Sequence, residues 1–107
     1  MSSETHGFEV AIDRSSPEVI VLSVSGDVDP VTAPELGAHL DECVAAGHPV
    51  VVVDLGGVAF IDSSGLRVLV TAHQALGDGR RLELRNLRSA VQRVVDLSGL
   101  AEVFDVR

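Results

Sequence analysis

Apolar and polar positions alternate first at Phe8, Val10 and Ile12, with Glu9 and Ala11 between them, a pattern that predicts a half-buried strand. Asp13-Arg14-Ser15-Ser16-Pro17 reads as a turn. Val19–Val24 is more continuously apolar and predicts a second strand, hairpinned to the first and ended by Gly26-Asp27-Val28-Asp29-Pro30. The period then changes. Ala33, Leu36, Leu40 and Val44 recur at helical steps, with Thr32 and Glu35 spaced as a capping box, Pro34 in the first turn, and Gly47 and Pro49 at the exit.

Val50–Leu55 is an apolar run broken only by Asp54, as expected of a central strand covered on at least one face by helices. Gly56-Gly57 reads as a turn in a loop, followed by a second apolar stretch ending at Phe60-Ile61. A second helix starts near Asp62 or Ser63, faces inward through Leu66, Leu69, Val70, His73 and Leu76, and ends at Gly77. Leu82–Asn86 is a short alternating strand. Ser89 is placed to cap a third helix with the stripe Val91, Val94, Val95 and Leu97, and Gly99-Leu100 has the signature of a Schellman ending. Val103, Phe104 and Val106 form a last apolar segment. The order predicts an α/β domain: a small mixed sheet, with an antiparallel N-terminal hairpin followed by parallel strands, and helices packed on it.

The length of 107 residues suits one domain, 1–107, with residues 1–6 as a polar, frayed tail. Composition narrows the function. The formal charge of −8 and the near absence of aromatic residues (3%) argue against nucleic acid as a direct partner. All eight basic residues are arginine, which excludes a phosphate-loop lysine, a Schiff-base lysine and the lysine of a receiver-type phospho-aspartate site around Asp54. Residues 1–62 hold eleven acids and one arginine, whereas residues 63–107 hold five acids and seven arginines. An acidic first half fits either a basic partner surface or simple solubility. Cys43 is the lone cysteine, which excludes an internal disulfide and fits a reducing cytoplasm. Neither a signal peptide nor a membrane-inserted segment is predicted.

Asp62-Ser63-Ser64-Gly65 carries the strongest chemical signal. Two hydroxyls at a helix N-terminus lie where free backbone N–H groups and the helix dipole favour negative charge. That fits an anion site, a phosphorylation switch, or plain capping by Asp62 or Ser63. Glycine at position 65 costs roughly 1 kcal/mol against alanine in a helix, so its use implies a close approach. A serine nucleophile is not supported: the glycine-flanked elbow is out of register, and His73 lies about 15 Å along the helix from the serines. Four scattered histidines (6, 39, 48 and 73) and one cysteine offer no metal-ligand spacing. Asp27 and Asp29 read as turn residues, in a loop placed to neighbour the loop 61–65 because loops after parallel strands gather at one end of the sheet.

Taken together, Gly26-Asp27-Val28-Asp29, the stretch Val53–Leu66 and Leu97-Ser98-Gly99-Leu100 resemble the anti-sigma-factor antagonists, stand-alone bacterial STAS domains, over roughly residues 8–106. The resemblance implies a mixed sheet with helices mainly on one side and a non-enzymatic protein that works by partner switching. The implied partners are an anti-sigma factor that is also a serine kinase of the GHKL ATPase type, and a PP2C-type phosphatase that reverses its action. Carried over by position, Ser63 is the phosphorylated residue, and Asp27, Asp29, Asp62, Ser63, Ser64, Gly65 and Leu66 form the partner-facing set. No cofactor or metal is implied. STAS domains also serve as scaffold subunits in stress-sensing assemblies and in lipid-transport ABC complexes, the alternative reading of the same face.

Overall fold

The computed structural model describes residues 7–107; the expected N-terminal tail lies outside the described residues. Strands β1 (Glu9–Asp13), β2 (Val19–Ser25), β3 (Val50–Gly57), β4 (Arg81–Arg85) and β5 (Asp105–Val106) form one sheet in sequential order. β1 pairs antiparallel with β2, and every later pairing is parallel. Helices α1 (Ala33–Ala45), α2 (Ser63–Leu76) and α3 (Ser89–Leu97) connect the parallel strands, and a single 3-10 turn, Leu100–Glu102, precedes β5.

The strands' period of two decides which face is covered. Val10, Leu22, Val53 and Leu84 point to the helices and join one core with Leu36, Leu40, Leu69, Val91 and Phe104. Glu9, Ser23, Asp54 and Arg85 fall on the opposite side. β3 is central, and its residues Val50–Val53 are all buried, in line with their unbroken apolar run. The turn after β1 closes as its composition predicts: the Asp13 carboxylate accepts from the Ser15 N–H, and Ser16 Oγ accepts from the N–H groups of Glu18 and Val19.

Five local expectations are corrected. Gly56 and Gly57 belong to β3 and are not a loop; Gly57 pairs with Ser25, and a Cβ on it would stand 2.6 Å from the Ser25 Cβ. In α1 the inward residue of the last turn is Cys43, with Val44 only partly buried, because the face follows steps of four and three after Leu36. Thr32 makes no capping box with Glu35; the cap is Asp29, described below. Ser89 is the first residue of α3 and does not cap it. Arg88 occupies the cap position without a side-chain bond to the helix, its guanidinium turned instead to the Gly56 carbonyl. Leu97 points to solvent at 78% exposure, since Val91 and Val95 already fill the contact of so short a helix.

Candidate functional site

The chain segments after β2 and β3 run side by side. The Gly26 N–H donates to the Gly57 carbonyl, the Val28 N–H to the Phe60 carbonyl, and the Asp62 N–H to the Val28 carbonyl. Val28 and Ile61 thereby form an isolated parallel bridge, and both side chains are buried. Alternation about that bridge sends Asp27 and Asp29 outward on one segment and Phe60 and Asp62 outward on the other. The predicted meeting of the 26–30 and 61–65 loops is therefore present, with a backbone zipper as its cause.

Each segment ends in a helix start closed by an aspartate. Asp29 Oδ1 accepts from the N–H groups of Val31 (2.9 Å) and Thr32 (3.0 Å), and the Ala33 N–H donates to the Asp29 carbonyl. Asp29 followed by Pro30 is thus the effective cap and first-turn pair of α1. Thr32 is buried and fixes the loop in place: its Oγ1 donates to the Asp27 carbonyl at 2.8 Å and accepts from the Asp29 N–H. On the second segment Asp62 is extended, and its Oδ1 accepts from the Ser64 N–H at 2.9 Å.

This leaves Ser63 as the first residue of α2, exposed, with a hydroxyl that makes no hydrogen bond among the described residues. Ser64 is half-buried. Gly65 and Leu66 point into the core, which changes their part in the site. A Cβ on Gly65 would lie 2.6 Å from Val28 Cγ1 and 2.7 Å from Ile61 Cγ1, so the close approach that the glycine permits is by the protein's own bridge residues. Leu66 is 7% exposed. Both set the height of the helix start and are not surface contacts.

The ledge also carries two residues that the sequence pattern gave no reason to single out. Phe60 is 49% and Val31 62% exposed, apolar groups left in water on either side of the zipper. Phe60 sits in an apolar stretch and is indistinguishable by residue type from a core position; only the inward choice of Ile61 turns it out. A depression of about 240 Å³ is lined by Val31 together with Asp27, Asp29 and Thr32.

A larger concavity, about 470 Å³, lies away from Ser63 on the helix-free face, lined by small groups such as Ala11, Ser23 and Gly56. Its Asp54 is fully engaged, Oδ1 by the Gly56 N–H and Oδ2 by Asn86 Nδ2, and serves to hold the end of β3. His73 packs edge-on against Phe104, in the core-facing part of α2. Among the described residues no group of three or more His, Cys, Asp or Glu is placed to hold a metal, and no helix is long and apolar enough to cross a membrane.

A sequential mixed sheet whose second and third strands deliver two aspartate-capped helices to one end, with a serine on one of them whose hydroxyl is unbonded among the described residues, is the architecture of a STAS domain. The family profile described as "Mlab, STAS domain" matches residues 12–105. The anti-sigma-F factor antagonist RsfB of Mycobacterium tuberculosis is 33% identical over 86 residues, covering 80% of this chain and 70% of that protein. The anti-sigma-B factor antagonist of Bacillus subtilis is 31% identical over 88 residues, covering 81% and 80%. A crystal structure of an anti-sigma factor antagonist from Mycobacterium paratuberculosis superposes with a TM-score of 0.86 at 32% identity, over 92% of this chain and 84% of that one. The chain belongs to the STAS-domain family, in its anti-sigma-factor antagonist branch.

Proposed function

We propose that the chain is a non-enzymatic, cytoplasmic anti-sigma-factor antagonist that docks an anti-sigma factor on the ledge of Asp27, Asp29, Phe60, Asp62 and Ser63, and that phosphorylation of Ser63 cancels the docking. The observation that carries the reading is the exposed Ser63 hydroxyl at the start of α2, unbonded among the described residues, beside a carboxylate already committed to the neighbouring N–H. Its partners are an anti-sigma factor acting as a serine kinase of the GHKL type and a PP2C-type phosphatase, with no direct contact to nucleic acid. In the kinase, Ser63 Oγ attacks the γ-phosphorus of ATP, ADP leaves, and the hydroxyl proton passes to a base of the kinase.

The fold accepts the product. A phosphate adds about −1.5 to −2 charges at pH 7, and it lies at a helix N-terminus where free N–H groups and the dipole favour an anion. The docked partner does not accept it. Next to Asp62 and across the zipper from Asp29, the new charge makes the centre of the ledge strongly repulsive to any acidic or desolvating partner group. Because a few central residues carry most of an interface's energy, exclusion needs no refolding.

The test is a binding titration with the cognate anti-sigma factor. Ser63→Ala binds and resists phosphorylation, and Ser63→Asp binds at least about tenfold more weakly. Equal affinities for the two variants, or a phosphate mapped to Ser64, would overturn the assignment. Capture of a transporter ATPase in place of an anti-sigma factor would move the ledge to the scaffold role.

A further inference from the structure

Arg67 stands four residues after Ser63 on α2, and both side chains are exposed. Residues four apart on a helix share a face, with Cβ atoms about 5–6 Å apart. Helical side chains also lean toward the N-terminus, so a long side chain at 67 reaches back over position 63. The Arg67 guanidinium has no hydrogen bond or ion pair among the described residues. Most other arginines are committed: Arg14 to Glu42, Arg80 to the carbonyls of Val44 and His48, Arg81 and Arg85 to Glu83, Arg88 to the Gly56 carbonyl and Arg107 to Asp105. Arg93 is also unengaged among the described residues but lies on α3. Among the described residues Arg67 is thus the unengaged arginine on the serine's own helix, one turn away and on the correct side.

The charges that face it are few. On α1, Asp41 lines with Arg67 the shallow groove of about 220 Å³ between the two helices, and the pair is not in salt-bridge contact. On α2 the nearest acid is Asp62, whose Oδ1 is occupied by the Ser64 N–H. A dianion at Ser63 offers Arg67 a stronger and geometrically better acceptor than either carboxylate, since guanidinium and phosphate oxygens form parallel, charge-assisted bonds.

We propose that Arg67 is the intramolecular clamp of the phosphorylated state: when Ser63 carries a phosphate, the Arg67 guanidinium folds back along α2 and pairs with its oxygens. The proposal rests on the reading of Ser63 as the phosphorylated residue. It gives the switch a second component. Modification then draws a cation out of the groove between α1 and α2 as it adds an anion at the ledge, and the phosphate is held against the helix N-terminus and kept dianionic.

The clamp is tested without any kinase, by incorporating phosphoserine at position 63 during synthesis and titrating the phosphate by phosphorus NMR in wild type, Arg67→Lys and Arg67→Gln. An opposite charge favours the dianion, so the second phosphate pKa is expected to be lower in wild type than in Arg67→Gln by about 0.5, with Arg67→Lys between them and the difference shrinking in 1 M salt. The unphosphorylated Arg67→Gln protein should melt as wild type does. The same phosphate pKa in wild type and Arg67→Gln would overturn the clamp. A kinase that leaves Ser63 unmodified would instead defeat the phosphorylation reading, while this titration still decides what Arg67 does.

Discussion

Asp29 and Asp62 each follow by one residue the two partners of a single parallel bridge, Val28 and Ile61, and each closes the next helix with its Oδ1. The zipper therefore sets two helix N-termini side by side at one end of the sheet, with their dipoles directed to the same place. The caps are unequal. Asp29 accepts two backbone N–H groups and Asp62 one. Loss of an N-cap costs about 0.5–2 kcal/mol; Asp29→Ala should fall near the upper end and Asp62→Ala near the lower, with Asp→Asn retaining most of the stability in each case. Urea denaturation measures this, and a costlier Asp62→Ala would contradict the assignment of Asp29 as the main cap.

Gly65 gives a steric prediction on the same bridge. An added methyl would lie inside contact distance of both Val28 and Ile61, neither of which can move without opening the zipper. Overpacking of this kind costs about 1–3 kcal/mol. Gly65→Ala should be destabilised by that amount and should also shift the amide resonances of Asp29 and Asp62. A variant as stable as wild type would mean that the helix start slides freely, and the rigid presentation of Ser63 would be lost as an explanation.

The sheet was legible because its signals were redundant: alternation at Phe8, Val10 and Ile12, a four-valine run for the central strand, and turn chemistry between them. The serine site was legible for a different reason, since Asp62-Ser63-Ser64-Gly65 is both a capping pattern and a family motif. What the sequence left hidden were choices between equally good local patterns. Thr32 with Glu35 and Asp29 with Pro30 are both valid helix starts; the buried bond from Thr32 Oγ1 to the Asp27 carbonyl selects the second. Gly56-Gly57 reads as a turn until Ser25 is seen to occupy the space a side chain would need. Phe60 and Ile61 are both apolar, and only the bridge to Val28 decides which of them faces out. Arg67 was detectable by its spacing of four from Ser63 alone, a signal too common to stand out before its guanidinium was seen to be unengaged.

Phe60 and Val31 separate binding from stability. Both are exposed large apolar groups beside the charged part of the ledge, and aromatic residues so placed are the usual anchors of an interface. Phe60→Ser should leave the unfolding free energy within about 0.5 kcal/mol of wild type, yet weaken anti-sigma-factor binding by about tenfold or more. Val31→Ser should act in the same direction with a smaller effect. Thermal melting reads the first quantity and calorimetric titration against the partner the second; full affinity in Phe60→Ser would place the interface elsewhere on the molecule.

Glu83 is expected to make the fold sensitive to acid. It is 2% exposed on the helix-free face, and each carboxylate oxygen is taken by one arginine: Oε2 by Arg81 and Oε1 by Arg85, with Nη2 contacts of 2.9 and 2.8 Å. Burial pushes its pKa up, but hydrogen bonds and charge from Arg85 and Arg81 outweigh burial and hold the carboxyl below its ordinary value. Asp105, its register neighbour on β5, is shifted the same way, chiefly by its hydrogen bond from Arg107. A depressed carboxylate contributes stability that is fully present above its unfolded pKa, about 4.3 for glutamate, and that is lost as pH falls through the folded value. Both arginines are about half in solvent, which moderates the gain, so Glu83→Gln should cost about 1–3 kcal/mol at pH 7. The difference between Glu83→Gln and wild type should narrow between pH 7 and an acid pH below the folded value, where wild type has lost its carboxylate and the variant has none to lose. Urea denaturation at the two pH values measures it, and a difference that stays constant would assign Glu83 to packing and not to charge.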